Sequence, residues 1–515
     1  MATLTGAYDV YGLPVAATSR ALARCVEIAA LAALLAVNWV SAGAHPSQIF
    51  SYTSIALFIW TLVIVARITP AGAILLLPLI VTRIATMSSL LAIEAGAYMP
   101  EVSRTGSAGD ASASFAAFTA VFFLAFACVF RMAERPALVF ARSPLLDKVV
   151  ALLAWPAVAV CIAWGAVAVF HGLQTGFPLL QEVDRFLYRR EYSNYWVLAL
   201  LDNKFLLSAV LGTITFRQTA TPLLRSVAAL TLIALTGLYF LFGDKFFTIL
   251  TEVSFFLMPF LLQRQGSLVR TLLLGFPLAL ALLAAAMGAT LYIYSDYGRL
   301  PADRTLKLLG ERIAGQGELW FIATRDFKQP ISYDRALVSR YTRGLDAQDP
   351  GKASFSNGVE TYYFIEHYAS PEMLKNFRRS GGFVQLTVGY EAMALVMFGY
   401  WGVAAAMMVA GVLAALSALF LLRTLAYGLP VTLFFSVWTY LQTYFVVQQA
   451  ALWPVAAPGQ WKRFLLFAVI ELLILALNRG QIMRLTEAAR VHGFRAWQHS
   501  QDLLTGAGNA GGRSA

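Results

Sequence analysis

The chain has 515 residues, of which 59% are hydrophobic and only 13% are charged, and its formal net charge is +11. Apolar runs of roughly 20 residues, the length of a helix that crosses a bilayer, recur along the chain and exclude an ordinary soluble protein. Many basic residues fall in short loops and in the tail, where such residues orient transmembrane helices, so the positive charge predicts no nucleic-acid partner. The sequence predicts a polytopic membrane protein.

Twelve apolar runs predict an all-α fold of about 12 transmembrane helices. We expect residues 1–21 to form a cytoplasmic segment, residues 22–295 to contain helices 1 to 9, and residues 390–478 to contain helices 10 to 12. The run after Glu391 exceeds one span and is expected to begin with an amphipathic or re-entrant piece. The runs begin near residues 22, 49, 71, 113, 148, 195, 226, 247, 272, 391, 429 and 463.

Charge in the short loops predicts the orientation of the helices. The segments "RMAERPALVFARSPLLDK", "FRQTATPLLR" and "LLQRQGSLVR" are basic, and so is the tail from residue 479 to 515, so we expect them on the cytoplasmic side. Two longer segments, residues 172–194 and 296–389, then face the opposite side. The second has mixed charge and several aromatics, which favours a folded loop subdomain with short helices over a disordered tether.

The segment "RTLKLLGERIAGQGELWF" begins at Arg304 in the large loop. Its apolar positions fit one amphipathic helix lying on the membrane surface, with Arg304 and Arg312 on the polar side. A guanidinium matches the oxygens of a phosphate, so these arginines are candidates for binding a phosphate or pyrophosphate. An interfacial helix whose arginines bind lipid headgroups is the alternative.

Two other noncytoplasmic segments carry candidate anion ligands. "GFPLLQEVDRFLYRREY" supplies Arg185, oriented by Asp184, and the tight turn "GDKF" supplies Lys245. An aromatic belt at the membrane interface is the alternative for the first segment. In "ETYYFIEHYASPEMLKNFRRSGGF", His367 can exchange a proton near neutrality beside Glu366, and Arg378 is another cation. An exposed or structural histidine is the alternative there.

Charged residues inside the apolar runs must face a cavity, a partner or a helix end, because each is costly in lipid. For Arg83 the sequence favours either a functional role or a buried pair with Glu94 or with an acid on another helix. The sequence shows no Asp-x-Asp pair in the first noncytoplasmic loop, no His-rich metal site and no P-loop, so we expect no metal and no cofactor. The full set is Arg83, Glu94, Asp202, Lys204, Asp244, Lys245, Glu252 and Glu471.

Several of these segments together resemble one protein family. They are "GFPLL...DR..YR", "GDKFFTILTEVSFFLMPFLL", "ERIAGQGELWF" and "GYEAMALVMFGYWG". Over most of residues 20–478 the chain resembles bacterial oligosaccharide repeat-unit polymerases of the O-antigen polymerase type. This resemblance implies a GT-C-like glycosyltransferase of the bacterial inner membrane that acts at the periplasmic face.

Such enzymes transfer a growing glycan from undecaprenyl pyrophosphate onto a lipid-linked repeat unit. The resemblance implies this donor and acceptor as partners, along with membrane lipids, a chain-length regulator and a flippase. It implies catalytic roles for Arg312, Glu366 and His367. Pyrophosphate would be bound by Arg185, Arg304, Arg378 and Lys245, and sugar rings by Gln316, Glu318, Trp320 and Tyr362.

Three other functions fit the sequence less closely. An O-antigen ligase would use the same donor but another acceptor, a lipid A core. A lipid-linked oligosaccharide flippase or secondary transporter would line one central cavity with its intramembrane charges. A structural scaffold would leave the loop arginines unexplained.

Overall fold

The computed structural model describes most of the helical part of the chain. The described residues are 14–139, 144–181, 183, 185–217, 220–244, 246–263, 288, 291–292, 301–344, 362–379, 389–427, 430–449, 461–462, 465–466, 468–470, 472–473 and 476. The predicted runs near residues 272 and 463 lie wholly or largely outside them, and so do most of the terminal segments.

The first half of the described chain is mostly helical and contains both long and short helices. One two-residue antiparallel ladder, β1 (Tyr98–Met99) with β2 (Arg104–Thr105), follows the fourth helix. The helices are α1 (Pro14–Ala44), α2 (Gln48–Ile68), α3 (Pro70–Leu75), α4 (Leu77–Glu94), α5 (Ala111–Val139), α6 (Pro144–Thr175), α7 (Arg185–Glu191), α8 (Tyr195–Asp202), α9 (Lys204–Phe216), α10 (Pro222–Leu241) and α11 (Phe246–Gln263).

The second half contains the large loop and two further long helices. Short helices in the loop are α12 (Ala302–Ala314), α13 (Glu318–Asp326), α14 (Arg335–Gly344), α15 (Tyr362–Tyr368) and α16 (Pro371–Arg379). They are followed by α17 (Tyr390–Tyr427) and α18 (Pro430–Gln449).

Seven described helices are long and apolar enough to cross a membrane, and the count rises to eight if the bent pair α8 and α9 forms one span. The prediction of an all-α polytopic membrane protein is confirmed at this level. The figure of about twelve spans and the GT-C-like arrangement stay predictions. The seven helical segments are Leu22–Ala44, Gln48–Ile68, Leu77–Glu94, Ala111–Glu134, Ala151–Thr175, Pro222–Leu241 and Tyr390–Ala426.

Helix α5 lies in the middle of the core because one of its faces is lined with phenylalanines. Phe115, Phe118, Phe122 and Phe126 recur at helical spacing and are buried. This helix packs most extensively against α17 and α2. Burial of these rings stabilises the packing of α5 against both helices.

Helix α17 is broken near its start, at Gly399, whose φ of 72° and ψ of −171° are not helical. The extended stretch 329–334 of the large loop lies in the break. The amides of Tyr400 and Ser332 donate to the carbonyls of Gln329 and Phe398, each at 3.2 Å. The long apolar run therefore begins with a separate short helical piece, and the loop is hydrogen-bonded to the bundle at that point.

Candidate functional site

The segment "GERIAGQGELWF" forms two helices rather than one. Helix α12 ends at Ala314 and α13 begins at Glu318. A β-carbon on Gly317, between them, would lie 2.7 Å from Oγ of Ser89 on α4, so this turn packs directly on the bundle. The prediction of a single surface helix is wrong, because the glycines interrupt the helix and residues 318–324 are all buried.

Helix α12 retains the amphipathic character that the sequence predicts. Arg304 and Lys307 are exposed on it. Arg312 lies on the same helix, but its side chain is outside the described part of the structure. The phosphate-binding roles of Arg304 and Arg312 stay predictions.

Several other residues of the predicted site also lie outside the described part of the structure. Lys245 as a whole and the side chains of Glu366, Arg378 and Tyr362 are not described. Their predicted roles stay predictions.

Gln316 and Trp320 line a small pocket between α12 and α13 on one side and a buried charge pair on the other. Its free volume of about 10 Å³ is room for about one water molecule, so a pyrophosphate or sugar would require the surrounding helices to move apart. The residues around it are Arg83, Thr86, Gln316, Trp320, Gly389, Glu391, Ala392 and Gln448.

The charge pair consists of Arg83 on α4 and Glu391 in the first turn of α17, both almost fully buried. Arg83 engages both carboxylate oxygens; its Nη2 donates to Oε2 of Glu391 at 3.3 Å and to the carbonyl of Val447 at 3.1 Å. The rings of Phe115 and Tyr390 lie 5.6 and 5.9 Å from the guanidinium. The N-terminal end of α17 also favours the Glu391 carboxylate.

Glu94, the other partner considered for Arg83, has a different role. Its carboxylate accepts from Oγ of Ser51 at 2.6 Å and from the amide of Ser112 at 3.0 Å. It therefore ties α2 to the start of α5. The hypothesis that Arg83 pairs with an acid on another helix is confirmed, with Glu391 as that acid.

Trp320 and Glu318 are packed inside the bundle. The indole Nε1 of Trp320 donates to the carbonyl of Ala111 at 2.9 Å, and its ring meets Phe115 and Phe118 edge to face. Glu318 is fully buried. Sugar binding by these two residues and by Gln316 stays a prediction, and for Trp320 it requires that the pocket open.

A cluster of charges surrounds Asp244, in the turn before α11. Lys204 Nζ donates to Oδ2 of Asp244 at 2.5 Å. Nη2 of Arg189 and Nη1 of Arg185 lie 3.7 and 3.9 Å from Oδ1 of the same carboxylate. We call Arg185, Arg189, Lys204 and Asp244 the Asp244 cluster.

Glu252 lies on α11, about two helical turns after Asp244, and is 0% exposed. Neither of its carboxylate oxygens has a hydrogen-bond partner among the described residues, although Lys204 and Asp244 interact with it electrostatically. Three basic side chains therefore lie around two carboxyl groups among the described residues. Arg185 and Arg189 are partly exposed, and a guanidinium can bind an added anion through its N–H groups.

Three segments build this cluster: α7, the start of α9 and the turn that contains Asp244. Gly243 has a φ of 87°, and a β-carbon there would lie 3.0 Å from Cβ of Arg185, so the turn and α7 are in contact. Helix α7 is held by buried Tyr188, whose hydroxyl lies 2.6 Å from that of Thr175. Burial raises the pKa of Tyr188, so it is a neutral hydrogen-bonding group at physiological pH.

The cluster includes two residues that the sequence did not single out as ligands. Arg189 follows Arg185 by one helical turn, and this spacing on a short helix is the signal that predicts both on one face. Lys204 was identified only as an intramembrane charge. Its pairing with Asp244, 40 positions later, has no local signal.

His367 lies on the exposed face of α15. Its Nδ1 is 2.8 Å from the carbonyl of Tyr363, and its ring stacks on that tyrosine at 4.3 Å. A carbonyl oxygen can only accept, so Nδ1 carries the proton and a neutral ring leaves Nε2 as the acceptor. That is the form a general base requires.

Tyr368 connects α15 to the end of α13 that is distant from Gln316. Burial, together with nearby Tyr363 and Asp326, raises the pKa of Tyr368 to about 12. Asp326 is the last residue of α13, whereas Gln316 precedes its first turn. The structure therefore brings His367 to one end of α13 and the buried charge pair to the other.

The profile of a known protein family matches part of the chain. The profile of a family described as a family of unknown function (DUF6418) matches residues 356–458. No curated protein and no solved structure matches the chain. The matched stretch includes His367 and Glu391 but neither Arg83 nor the Asp244 cluster. Among the described residues, no group of three or more His, Cys, Asp or Glu side chains is arranged to hold a metal ion.

Proposed function

We propose that this protein is a membrane glycosyltransferase that polymerises oligosaccharide repeat units. It transfers a growing glycan from undecaprenyl pyrophosphate onto a lipid-linked repeat unit at the periplasmic face of the bacterial inner membrane. The observation that carries this proposal is the Asp244 cluster, where Arg185, Arg189 and Lys204 converge on one buried carboxylate.

The cluster suits a pyrophosphate leaving group. An acceptor hydroxyl oxygen forms a bond to the anomeric carbon of the donor, the bond from that carbon to the pyrophosphate oxygen breaks, and the leaving group takes the electron pair. Fixed guanidinium groups stabilise the negative charge that develops on this oxygen. Arg185 and Arg189 are each about one-quarter exposed, so a ligand can reach them.

The acceptor hydroxyl must also lose its proton. His367 is the proposed base, because its Nδ1 is committed to the carbonyl of Tyr363 and its Nε2 can accept. Glu366, beside it in the sequence, is the alternative. Substrate binding would have to bring the acceptor between His367 and the cations, which belong to different segments of the chain.

The decisive experiment is extension of a lipid-linked repeat unit by the purified full-length protein in nanodiscs, followed by separation of the products by length. We expect a ladder of longer glycans that persists with a chelator present. Arg185→Gln should shorten or abolish the ladder, whereas Arg131→Gln, which alters an exposed arginine in the C-terminal half of α5, should not. No extension by the folded protein would overturn the proposal.

Transport of a lipid-linked oligosaccharide is the second candidate. Two broken helices favour it: α8 and α9 meet at a 60° bend beside Lys204, and α17 is interrupted at Gly399. Interrupted helices with buried charges are common at transporter binding sites. Flipping of a fluorescent lipid-linked oligosaccharide in proteoliposomes, without any bond formed, would favour transport. A lipid A core as acceptor in the extension assay tests the ligase alternative.

A further inference from the structure

A cavity of about 180 Å³ lies between α6, α9 and α10. It is bounded by the N-terminal parts of α6 and α10 and by the C-terminal end of α9. These helix ends adjoin the basic connections "RMAERPALVFARSPLLDK" and "FRQTATPLLR", which are expected on the cytoplasmic side. The cavity is therefore separate from the Asp244 cluster, which lies at the other ends of α9 and α10.

The wall of the cavity is divided into an apolar part and a polar part. Ala151, Ala154, Trp155, Ile214, Ala220 and Leu224 form the apolar part. Thr213, Arg217 and Thr221 form the polar part. A cavity of about 150 Å³ accommodates a benzene-sized apolar group, so this one has room for several methylenes.

The polar part contains a basic side chain, Arg217. Arg217 is half-buried at its edge, and α10 begins there, with Thr221 as the N-cap and Pro222 in the first turn. The amide end of a 20-residue helix adds partial positive charge to that of the guanidinium. The ligand that fits this charge is an anion.

The apolar part is open towards the surrounding lipid. Leu152, next to Ala151 on α6, is 77% exposed, and Trp155 on the cavity wall is 45% exposed. Large apolar side chains exposed on a membrane-spanning helix face lipid, and tryptophan is typical of the level of the headgroups. A lipid can therefore enter the cavity from the side.

We propose that this cavity is a binding site for an acidic phospholipid of the adjacent leaflet. Its phosphate contacts Arg217 and the start of α10, and the first methylenes of one acyl chain lie between Ala154 and Leu224. Charge selects this occupant: a zwitterionic lipid brings a cation towards Arg217 and the basic loops, and a soluble anion leaves the apolar wall unfilled. The inference does not depend on the proposed glycosyl transfer.

Native mass spectrometry of the purified full-length protein in detergent tests the site. Phosphatidylglycerol and phosphatidylcholine are titrated separately, and we expect phosphatidylglycerol to bind at least five times more tightly. Arg217→Gln should weaken phosphatidylglycerol binding roughly five- to tenfold, the effect of one basic residue near an anionic headgroup. Arg131→Gln removes a positive charge from the C-terminal half of α5, outside the residues that line the cavity, and should change binding less than about twofold.

A second pair of variants distinguishes the cavity from general surface attraction. Ala151→Phe places a ring in the cavity from an exposed helix position, whereas Leu152→Phe adds a similar ring on the neighbouring lipid-facing position. We expect only Ala151→Phe to weaken phosphatidylglycerol binding. Equal binding by both variants, or by Arg217→Gln and the parent protein, would overturn the proposal. Preferential binding of an isoprenyl monophosphate that displaces phosphatidylglycerol would overturn the phospholipid as occupant.

Discussion

Arg83 and Glu391 form a buried ion pair across 308 positions of sequence. The pair joins α4 to the first turn of α17, directly below the turn that contains Gln316. Because the guanidinium also bonds the Val447 carbonyl, a single side chain links three helices. The pair therefore holds α4, α17 and α18 together next to the turn of the large loop that contains Gln316.

Removal of one partner should be more harmful than removal of both. Arg83→Met leaves the Glu391 carboxylate buried and unpaired, which we expect to reduce the free energy of unfolding by about 3–5 kcal/mol. The double variant Arg83→Met with Glu391→Leu should recover part of that loss. Detergent-induced unfolding followed by tryptophan fluorescence measures both. A double variant less stable than either single variant would contradict this account.

The Asp244 cluster makes a separate prediction about substrate affinity. Arg189→Gln removes a guanidinium that lies 3.7 Å from Asp244 and is about one-quarter exposed. We expect the KM for the lipid pyrophosphate donor to rise about tenfold. The reason is that one charge-assisted hydrogen bond contributes roughly 1.5 kcal/mol to the free energy of binding, which corresponds to about a tenfold change in affinity. The initial rate of extension at varied donor concentration provides the measurement. Arg335→Gln, in the large loop and outside the cluster, is the control.

The positions of the helices were largely predictable because apolar run length is a local property. The runs expected near residues 49, 195, 247 and 391 correspond to helices that begin at Gln48, Tyr195, Phe246 and Tyr390. The break in the run after Glu391 was also foreseeable, since "EAMALVMFGYWG" continues into more apolar residues than one span needs.

The partners of the buried charges were not predictable from the sequence. Arg83 is 11 positions from Glu94 and 308 from Glu391, and nothing local indicates the more distant acid. The prediction of a surface helix that includes Trp320 was wrong for a related reason. Leu319 and Trp320 fit an interfacial helix as well as a buried one, and only the tertiary contacts with α4, α5 and α17 decide between them.

Gly399 should be intolerant of a side chain. Its φ of 72° and ψ of −171° belong to a region that essentially only glycine adopts, and a β-carbon would lie 2.7 Å from the carbonyl oxygen of Gln329. We expect Gly399→Ala to cost about 1–3 kcal/mol of stability and to free the stretch 329–334. Hydrogen exchange at Tyr400 and Trp401 would report that release.

Gly237 provides the matched control for that substitution. It lies in the interior of α10, and a β-carbon there would meet no atom within 4 Å. Gly237→Ala should therefore be neutral or stabilise the protein by up to about 1 kcal/mol, because alanine is the better helix former. Similar losses in both variants would show that the break at Gly399 is not constrained as described.

A variant of Trp320 can show whether this residue serves in packing or in sugar binding. Trp320→Phe keeps most of the ring volume but deletes the Nε1–H that bonds the Ala111 carbonyl at 2.9 Å. We expect a loss of about 1 kcal/mol in stability and less than a twofold change in the extension rate. A tenfold slower rate with an unchanged unfolding midpoint would instead support a sugar contact.

Arg312 is the arginine for which the resemblance to repeat-unit polymerases implies a catalytic role. It lies on α12, the amphipathic helix that precedes the turn above the Arg83–Glu391 pair. We expect Arg312→Ala to abolish glycan extension while the protein still accumulates in the membrane. Arg312→Lys should also impair extension, because an ammonium group lacks the planar fork that engages two phosphate oxygens.

Lys307→Ala, which removes an exposed charge from the same helix, should leave the ladder of long glycans unchanged. Equal loss in the Lys307 and Arg312 variants would point to the net charge of α12 as the requirement, and an unchanged ladder in Arg312→Ala would remove Arg312 from the mechanism.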